Sequence, residues 1–599
     1  MYEDLLLQVR KPGQYTGGEI NSARKDFSAA KVKFAISFPD LYEVGMSNLG
    51  LKIIYSLLNN IPDLVCERFF APDKDMEELL RLHNRQLLSL ESRKKLGEFD
   101  LVGFSLGSEL GYTNVLNILE LGGIPLKAVE RGQTHPLIIA GGPCTLNPEP
   151  MHEFFDLFVI GEAEDVALEI INLYREHKEA YKAGRMAKQE LLLRLSRIEG
   201  VYIPSLYSVS YNSRGAVIAF RPEFNSLPLK IRKRFVKDLN LAPYPLDWPV
   251  SYIQIIHDRI VLEIMRGCPN RCLFCQARSQ YFPLRLKSLE RILHLADALY
   301  KRTGYEEISL AGLSVSDHPQ MEKILQELMR LFDTKAVGLS LPSVKAKSLL
   351  GSASALIAKV KKTGLTFAPE AGSERLRASL QKDFNREEFF KSLEEAYSSG
   401  YQHVKLYFMI GLPGEKDEDL DAIIDFSLAV SELRRKAGKP PAGVNISINA
   451  LIPKPHTALQ WLKMEDADTL KRKQEYLREK ARKHKRLVLN FHNRSMSIIE
   501  GILSRGDRRL SEVVLSAFKS GAKFDAWSNY FDFQRWMRAF ADSGIDPWFY
   551  LGQKELKDIL PWDFIDTGID KEFLATEFNK SVDMAGDKMY NLEKMEAKK

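Results

Sequence analysis

Cysteine is scarce: five in 599 residues, an odd number too small for a disulfide framework, so the thiols must be read by their spacing. Long apolar runs are absent, and nothing approaches the roughly eighteen residues of a spanning helix. The start, Met1-Tyr2-Glu3-Asp4-Leu5-Leu6-Leu7-Gln8, has an early acidic pair in place of a secretory apolar segment, so a cytoplasmic location without membrane contact is expected. No charge dominates: 85 Lys and Arg against 79 Asp and Glu give +6, which suits a mildly anionic partner such as nucleic acid without requiring one. No repeat of solenoid period is visible, which excludes stacked-repeat architectures. What is present is ordinary globular usage, 45% hydrophobic and 27% charged, over a length that outgrows one core; two to four packed domains are expected.

From Val32 to about Arg185 short apolar runs alternate with amphipathic stretches: Val32 to Phe38, Leu64 to Phe70, Asp100 to Leu106, Pro136 to Gly142 and Asp156 to Gly161. This rhythm predicts an open parallel α/β sheet, whose ligands bind at the carboxyl ends of its strands. Tyr207 to Tyr211 and Ala216 to Phe220 read as a hairpin, followed by a polar, Pro-containing linker to Trp248-Pro249. A second alternation has strands near Val261 to Met265, Ile308 to Ala311, Val337 to Leu341, Thr363 to Pro369, Val404 to Ile410 and Val444 to Leu451. The intervals leave room for a helix each, which fits six βα units in a partial barrel. From about Asp466 a basic helical stretch leads into a region containing Trp527, Trp536, Trp548 and Trp562.

The strongest chemical signal is Arg266-Gly267-Cys268-Pro269-Asn270-Arg271-Cys272-Leu273-Phe274-Cys275, a Cys-x3-Cys-x2-Cys run directly after an apolar strand. Three thiolates on one short loop hold three irons of a [4Fe-4S] cluster and leave the fourth iron open. A closed zinc site wants four ligands in paired clusters, and neither Cys66 nor Cys144 has a partner at such spacing. The loop, with Phe274 before its third cysteine, resembles the signature of the radical S-adenosylmethionine (radical SAM) superfamily. The resemblance implies Cys268, Cys272 and Cys275 as cluster ligands, and an open iron that chelates the methionine moiety of SAM. One electron then cleaves the sulfonium to a 5′-deoxyadenosyl radical. An electron donor such as flavodoxin or ferredoxin is implied with it.

Later strand ends resemble the same family more weakly. Ser309-Leu310-Ala311-Gly312-Leu313-Ser314 occupies the position where relatives contact the methionine amino group, although a Gly-Gly-Glu signature is missing and Ser314 with backbone carbonyls must serve. Glu370, in Phe367-Ala368-Pro369-Glu370-Ala371-Gly372, is the expected polar SAM contact, and Gly411 and Gly414 allow backbone to approach the adenine. The amino-terminal sheet resembles the cobalamin-binding domain that precedes the barrel in one large subclass. Asp40, Tyr42 and Gly45 after the first strand, Ser105 and Gly107 after the third, and Gly141 and Gly142 later are the implied cobalamin contacts. Tyr42 stands where cobalamin mutases carry the histidine that ligates cobalt from below, so the lower axial site is empty or water-bound, or the sheet no longer binds cobalamin.

The fold expectation is therefore α/β: a flavodoxin-like, cobalamin-binding-like parallel sheet, a partial (β/α)6 radical SAM barrel and an α-rich carboxyl-terminal region. The divisions are an extension over 1–30, the sheet domain over 31–198, hairpin and linker over 199–250, the barrel over 251–465 and the helical region over 466–599. Over nearly its whole length the sequence resembles an uncharacterised bacterial family of such proteins, which names no substrate. Arg505, Asp507, Arg508 and Arg509 are candidates to clamp an anion, against a salt-bridge network as the plainer reading. The tryptophans are candidates to stack a flat substrate, with core as the plainer reading. His456 either faces substrate or holds a turn.

The expected function is reductive SAM cleavage with cobalamin, for methylation or rearrangement of an unknown substrate. One alternative is a cobalamin-independent radical SAM enzyme acting on RNA or protein, motivated by the bases between Lys471 and Arg486, which are interleaved with Glu475 and Glu479. A methylthiolating enzyme is disfavoured because only Cys66 and Cys144 remain for a second cluster. The alternative of another class is a non-enzymatic, metal-stabilised RNA-binding module.

Overall fold

The computed structural model describes residues 3–340, 365–382, 384–398 and 400–587. Its first sheet contains β1 (Val32–Phe38), β2 (Leu64–Phe70), β3 (Leu101–Ser105), β4 (Leu137–Gly141), β5 (Leu157–Val159) and β6 (Val201–Tyr202), in the order β2-β1-β3-β4-β5-β6. β1 to β5 are parallel, with Phe34 opposite both Cys66 and Leu101, and β6 closes the edge antiparallel to β5. β2 is buried at every residue, as a strand covered on both faces must be. The order reverses beside β1, so the turns after β1 and β3 diverge and leave a crevice where sheets of this kind bind ligands. Helix Leu49–Asn59 begins with Asn48 accepting from the Leu51 N–H and packs on β2.

A hairpin, β7 (Tyr207–Tyr211) and β8 (Val217–Pro222), and a short β9 (Ile231–Arg232) lead into the second unit. There β10 (Ile260–Glu263), β13 (Glu307–Ala311) and β14 (Gly338–Ser340) form one parallel sheet, while β11 (Met265–Arg266) and β12 (Arg285–Leu286) form a two-stranded ribbon beside it. β15 (Leu365–Glu370), β16 (His403–Ile410), β17 (Gly443–Ala450) and β18 (Leu487–Phe491) form another parallel sheet, and among the described residues no pairing joins β14 to β15. Leu341, Thr363 and Gly364 of the expected strands lie outside the described residues. The βα pattern runs past the expected boundary at 465: helix Ala467–Ala481 and β18 add a seventh strand, paired to β17. The alternation of Leu487 to Phe491 is visible in the sequence, but its polar neighbours Asn490 and Lys485 disguise an edge strand with one wet face.

The carboxyl-terminal region is helical and does not stand apart. Helix Leu510–Lys519 packs on helix Tyr112–Leu121, and Ile499, Ile502, Trp536 and Tyr550 share one buried core with the amino-terminal sheet. β19 (Ile565–Asp566) pairs with β9, which ties the linker to the far end of the chain. Helix Lys571–Ala585 then buries Leu574, Phe578 and Val582 against Leu273, Leu412 and Trp461. Among the described residues no helix is long and apolar enough to cross a membrane.

Candidate active site

β11 delivers the chain to the cysteine loop through Gly267, whose φ is +89°. A Cβ there would stand 2.8 Å from Leu284 Cα and from the carbonyl oxygens of Tyr281 and Pro283, so only glycine lets the two segments meet. Cys268, Cys272 and Cys275 follow, half-buried and free of disulfides. Asn270 Nδ2 donates to Cys268 Sγ at 3.3 Å and to Asp317 Oδ2 at 2.9 Å, and Ser314 Oγ donates to the same carboxylate oxygen at 2.7 Å. Ser314, expected as a SAM contact, therefore does stand beside the first cysteine. Asn270 and Asp317 join the site beyond the residues expected from sequence; the pattern Ser314-x-x-Asp317 is the local signal for the second.

On the opposite side Leu273 is buried, and its N–H donates to the Leu380 carbonyl at 3.1 Å. Glu370 ends β15 at φ +69° with its carboxylate 3.3 Å from Lys382 Nζ. Burial pushes the Glu370 carboxyl up, with Lys382 opposing. Burial likewise pushes the Cys272 thiol up to about 11, against the pull of Lys382, and raises Cys275. A metal binds the thiolate form, so binding displaces the thiol protons. Among the described residues no three His, Cys, Asp or Glu converge on a single metal ion.

Gly411 and Gly414 occupy the turn after β16, both at positive φ. The Gly411 N–H donates to Glu415 Oε2 at 2.8 Å. The Gly414 N–H donates to Asp587 Oδ2 at 3.1 Å, and its carbonyl accepts from Arg375. The space beside Gly414 is filled by the Ala585 carbonyl, so the end of helix Lys571–Ala585 covers the surface expected to meet the adenine.

A cavity of about 790 Å³ opens between the carboxyl edge of the first sheet and the start of the cysteine loop. Asp40, Ser105, Gly107, Gly141 and Gly142 line it from the sheet, and Arg266, Gly267, Gly312 and Leu313 from the barrel. It continues as an apolar slot between Phe34, Ile36 and Ile139 of the sheet and Ile54, Ala167 and Ile170 of the covering helices. Gly103 lies in the slot, where a Cβ would press on the Phe34 ring, and a Cβ on Gly141 would meet only open space. Asp40 accepts from Trp527 Nε1 at 2.9 Å, and burial raises its carboxyl.

Tyr42 and Gly45, expected beside Asp40, do not line the cavity. The Tyr42 hydroxyl is buried on the other side of its turn, 2.9 Å from Glu19 Oε1, which also binds Arg68. Gly45 makes room for the Phe70 ring. In their helical turn, Tyr42–Gly45, it is Val44 that lines the cavity while the Tyr42 side chain faces the other way.

The remaining candidates are structural. His456 is buried with Nε2 3.0 Å from the Leu146 carbonyl, and Arg505 donates to the carbonyls of Tyr550, Pro453, Gln460 and Gly552. Arg508 pairs with Glu149 at 2.7 Å, and Arg509 with Asp507 at 2.6 Å. Trp536 and Trp562 are core residues, whereas Trp548 is half-exposed. Of the basic helix, Lys473 is buried between Glu415 and Glu465, Arg472 meets Asp417 and Lys480 meets Asp421, so it presents no unbroken cationic face.

Two family models match the chain: "Radical SAM proteins, N-terminal" over residues 50–204, and "Radical SAM superfamily" over residues 262–427. An uncharacterized protein of Methanocaldococcus jannaschii is 30% identical over 510 residues, 83% of this chain and 96% of that one. An uncharacterized methyltransferase of Pyrococcus horikoshii is 24% identical over 335 residues, 53% of this chain and 68% of its own. The solved structure of the cobalamin-dependent S-adenosylmethionine radical enzyme OxsB, with aqua-cobalamin and S-adenosylmethionine bound, aligns with a TM-score of 0.44 at 12% identity, over 100% of this chain and 86% of that one.

Proposed function

The chain belongs to the radical SAM superfamily, and on that premise we propose an enzyme that holds a [4Fe-4S] cluster on Cys268, Cys272 and Cys275 and cobalamin at the carboxyl edge of its amino-terminal sheet. Its reaction is reductive SAM cleavage coupled to methylation of a substrate seated between the two halves. One observation carries the reading: the cavity that begins among Ser105, Gly107 and Gly141 ends at Arg266 and Gly267, the two residues before Cys268. Two cofactors held at its ends would share one cavity.

The residues fit both groups. Three thiols on one loop, one already accepting an N–H from Asn270, are a donor set for three irons and leave the fourth free. The apolar slot floored by Gly103 suits a flat heterocyclic tail, and the glycines at its mouth leave room for a macrocycle. Among the described residues no histidine lines the cavity, in keeping with Tyr42 at the turn. When bound, the cluster with SAM supplies a carbon radical, and cobalamin supplies a transferable methyl group.

The chain's own part is positioning and exclusion of water. Asp317 and Ser314 present acceptors beside Cys268 for an ammonium group, and Glu370 offers a second carboxylate. Leu273, Leu376, Trp562 and Phe578 seal the outer side of the cysteine loop.

The test is anaerobic reconstitution with iron, sulfide and hydroxocobalamin, desalting, optical spectra, and assay of 5′-deoxyadenosine and S-adenosylhomocysteine after reduction with SAM. Retained cobalamin and both products are expected. Iron–sulfur absorbance and 5′-deoxyadenosine without cobalamin would overturn the methylating reading and leave cobalt-free hydrogen abstraction; a colourless protein would overturn both.

A further inference from the structure

Between Arg266 and Lys287 the sequence carries five Arg and Lys and no Asp or Glu. Such a segment cannot be buried alone, yet the side chains of Arg266, Arg285 and Lys287 are 9%, 7% and 0% exposed. Their counter-charges come from two directions. Glu263 of β10 binds the Arg266 Nε and Nη2 atoms at 3.0 Å each and lies 3.3 Å from Lys287 Nζ. Glu162 and Glu164, which follow β5 in the amino-terminal sheet, meet Arg266 Nη1 at 2.9 and 2.8 Å. Glu162 is also gripped by both Nη atoms of Arg285, at 2.8 and 2.7 Å, and accepts the Val236 N–H. Three carboxylates and three cations thus close on themselves, and Glu162, Glu164, Glu263 and Arg266 form the wall where the sheet half of the cavity meets the barrel half.

Structural economy does not explain this arrangement, because apolar residues of equal volume stabilise such an interface at least as well. A bidentate guanidinium network fixes direction as well as contact. We propose that Arg266, clasped by Glu162 and Glu164, is a positioning residue: it sets the separation between a ligand on the sheet edge and the cluster on the loop that starts two residues later. The proposal rests on the two-cofactor reading above, and its function is registry between the halves.

The experiment uses the reconstituted holoprotein, the Arg266→Gln and Glu164→Gln variants, and Arg266→Lys as the charge-conserving control. Iron and cobalamin contents are measured first. The distance between cob(II)alamin and the reduced cluster is then read by pulsed electron paramagnetic resonance, and amide hydrogen exchange is followed in protein without cobalamin. Both variants are expected to keep full iron and cobalamin, to broaden the distance distribution about twofold or more, and to exchange faster at 161–167 and 265–268 together. Arg266→Lys, which keeps charge but loses the fork, is expected to broaden it as well. An unchanged distribution with both cofactors retained would overturn the proposal, as would faster exchange on only one side of the clasp. Wild-type protein that binds no cobalamin would overturn the two-cofactor reading, and the exchange data would then still decide whether the clasp joins the halves.

Discussion

The indole nitrogen of Trp527 donates to Asp40 Oδ1 at 2.9 Å, joining two segments 487 residues apart at the mouth of the cavity. The carboxyl-terminal helices therefore complete the turn after β1, and the sheet domain is finished only by the other end of the chain.

Trp527→Phe keeps an aromatic ring, smaller than the indole, and removes the donor. Asp40, already raised by burial, loses its side-chain partner, and the protein is expected to lose about 1–3 kcal/mol of stability in urea unfolding. Because a raised folded pKa means the native state holds the extra proton, that loss should grow as pH rises above the ordinary carboxylate range and shrink below it.

Cys268→Ala, Cys272→Ala and Cys275→Ala are each expected to abolish the brown colour and iron retention after reconstitution, while far-ultraviolet circular dichroism stays at the wild-type level. The thiols lie on a loop, so their loss removes ligands without breaking a core. Cobalamin retention should survive all three, since its expected contacts lie on the sheet.

Lys454 Nζ sits 3.0 Å from both oxygens of Glu109 and 2.8 Å from Glu500 Oε1, at the junction of sheet, barrel and carboxyl-terminal helix. Lys454→Met leaves two facing carboxylates without a cation and is expected to cost about 3–5 kcal/mol. The Glu109 carboxyl is already raised by burial, so the variant should regain stability as pH falls from neutral toward the carboxylate range. Thermal midpoints at several pH values check the sign.

Burial lowers His456 from its ordinary 6.5 to about 4. The unfolded chain takes up this proton first, so stability is full above about 6.5 and is lost as pH falls toward 4. His456→Asn, which tolerates the residue's φ of +56°, is expected to flatten that acid limb of the urea-midpoint curve.

What the sequence made legible follows the range of the interactions. Val32 to Phe38 and Leu64 to Phe70 delimit β1 and β2 to the residue, because apolar residues open and close each strand although Lys33, Ser37, Glu67 and Arg68 interrupt them. The cysteine loop was legible because its chemistry is local. That Tyr42 turns to Glu19 and Gly45 packs under the Phe70 ring is not legible in the sequence, because a motif carries no side-chain direction. Glu162 and Glu164 are not legible as a clasp because an acidic pair at a helix start looks like ordinary helix-start chemistry, and their partners lie more than a hundred residues on.

That separation orders the birth of the molecule. A ribosome releases the first sheet, through Tyr202, before Arg266 and Arg285 exist, so Glu162 and Glu164 meet water while their half of the cavity is still a bare edge. β9 waits longer, until Ile565 arrives. Until Arg266 and Arg285 emerge, Glu162 and Glu164 have water in their place as partners. The contact between the two halves is therefore one that the growing chain can make only after its first sheet is complete.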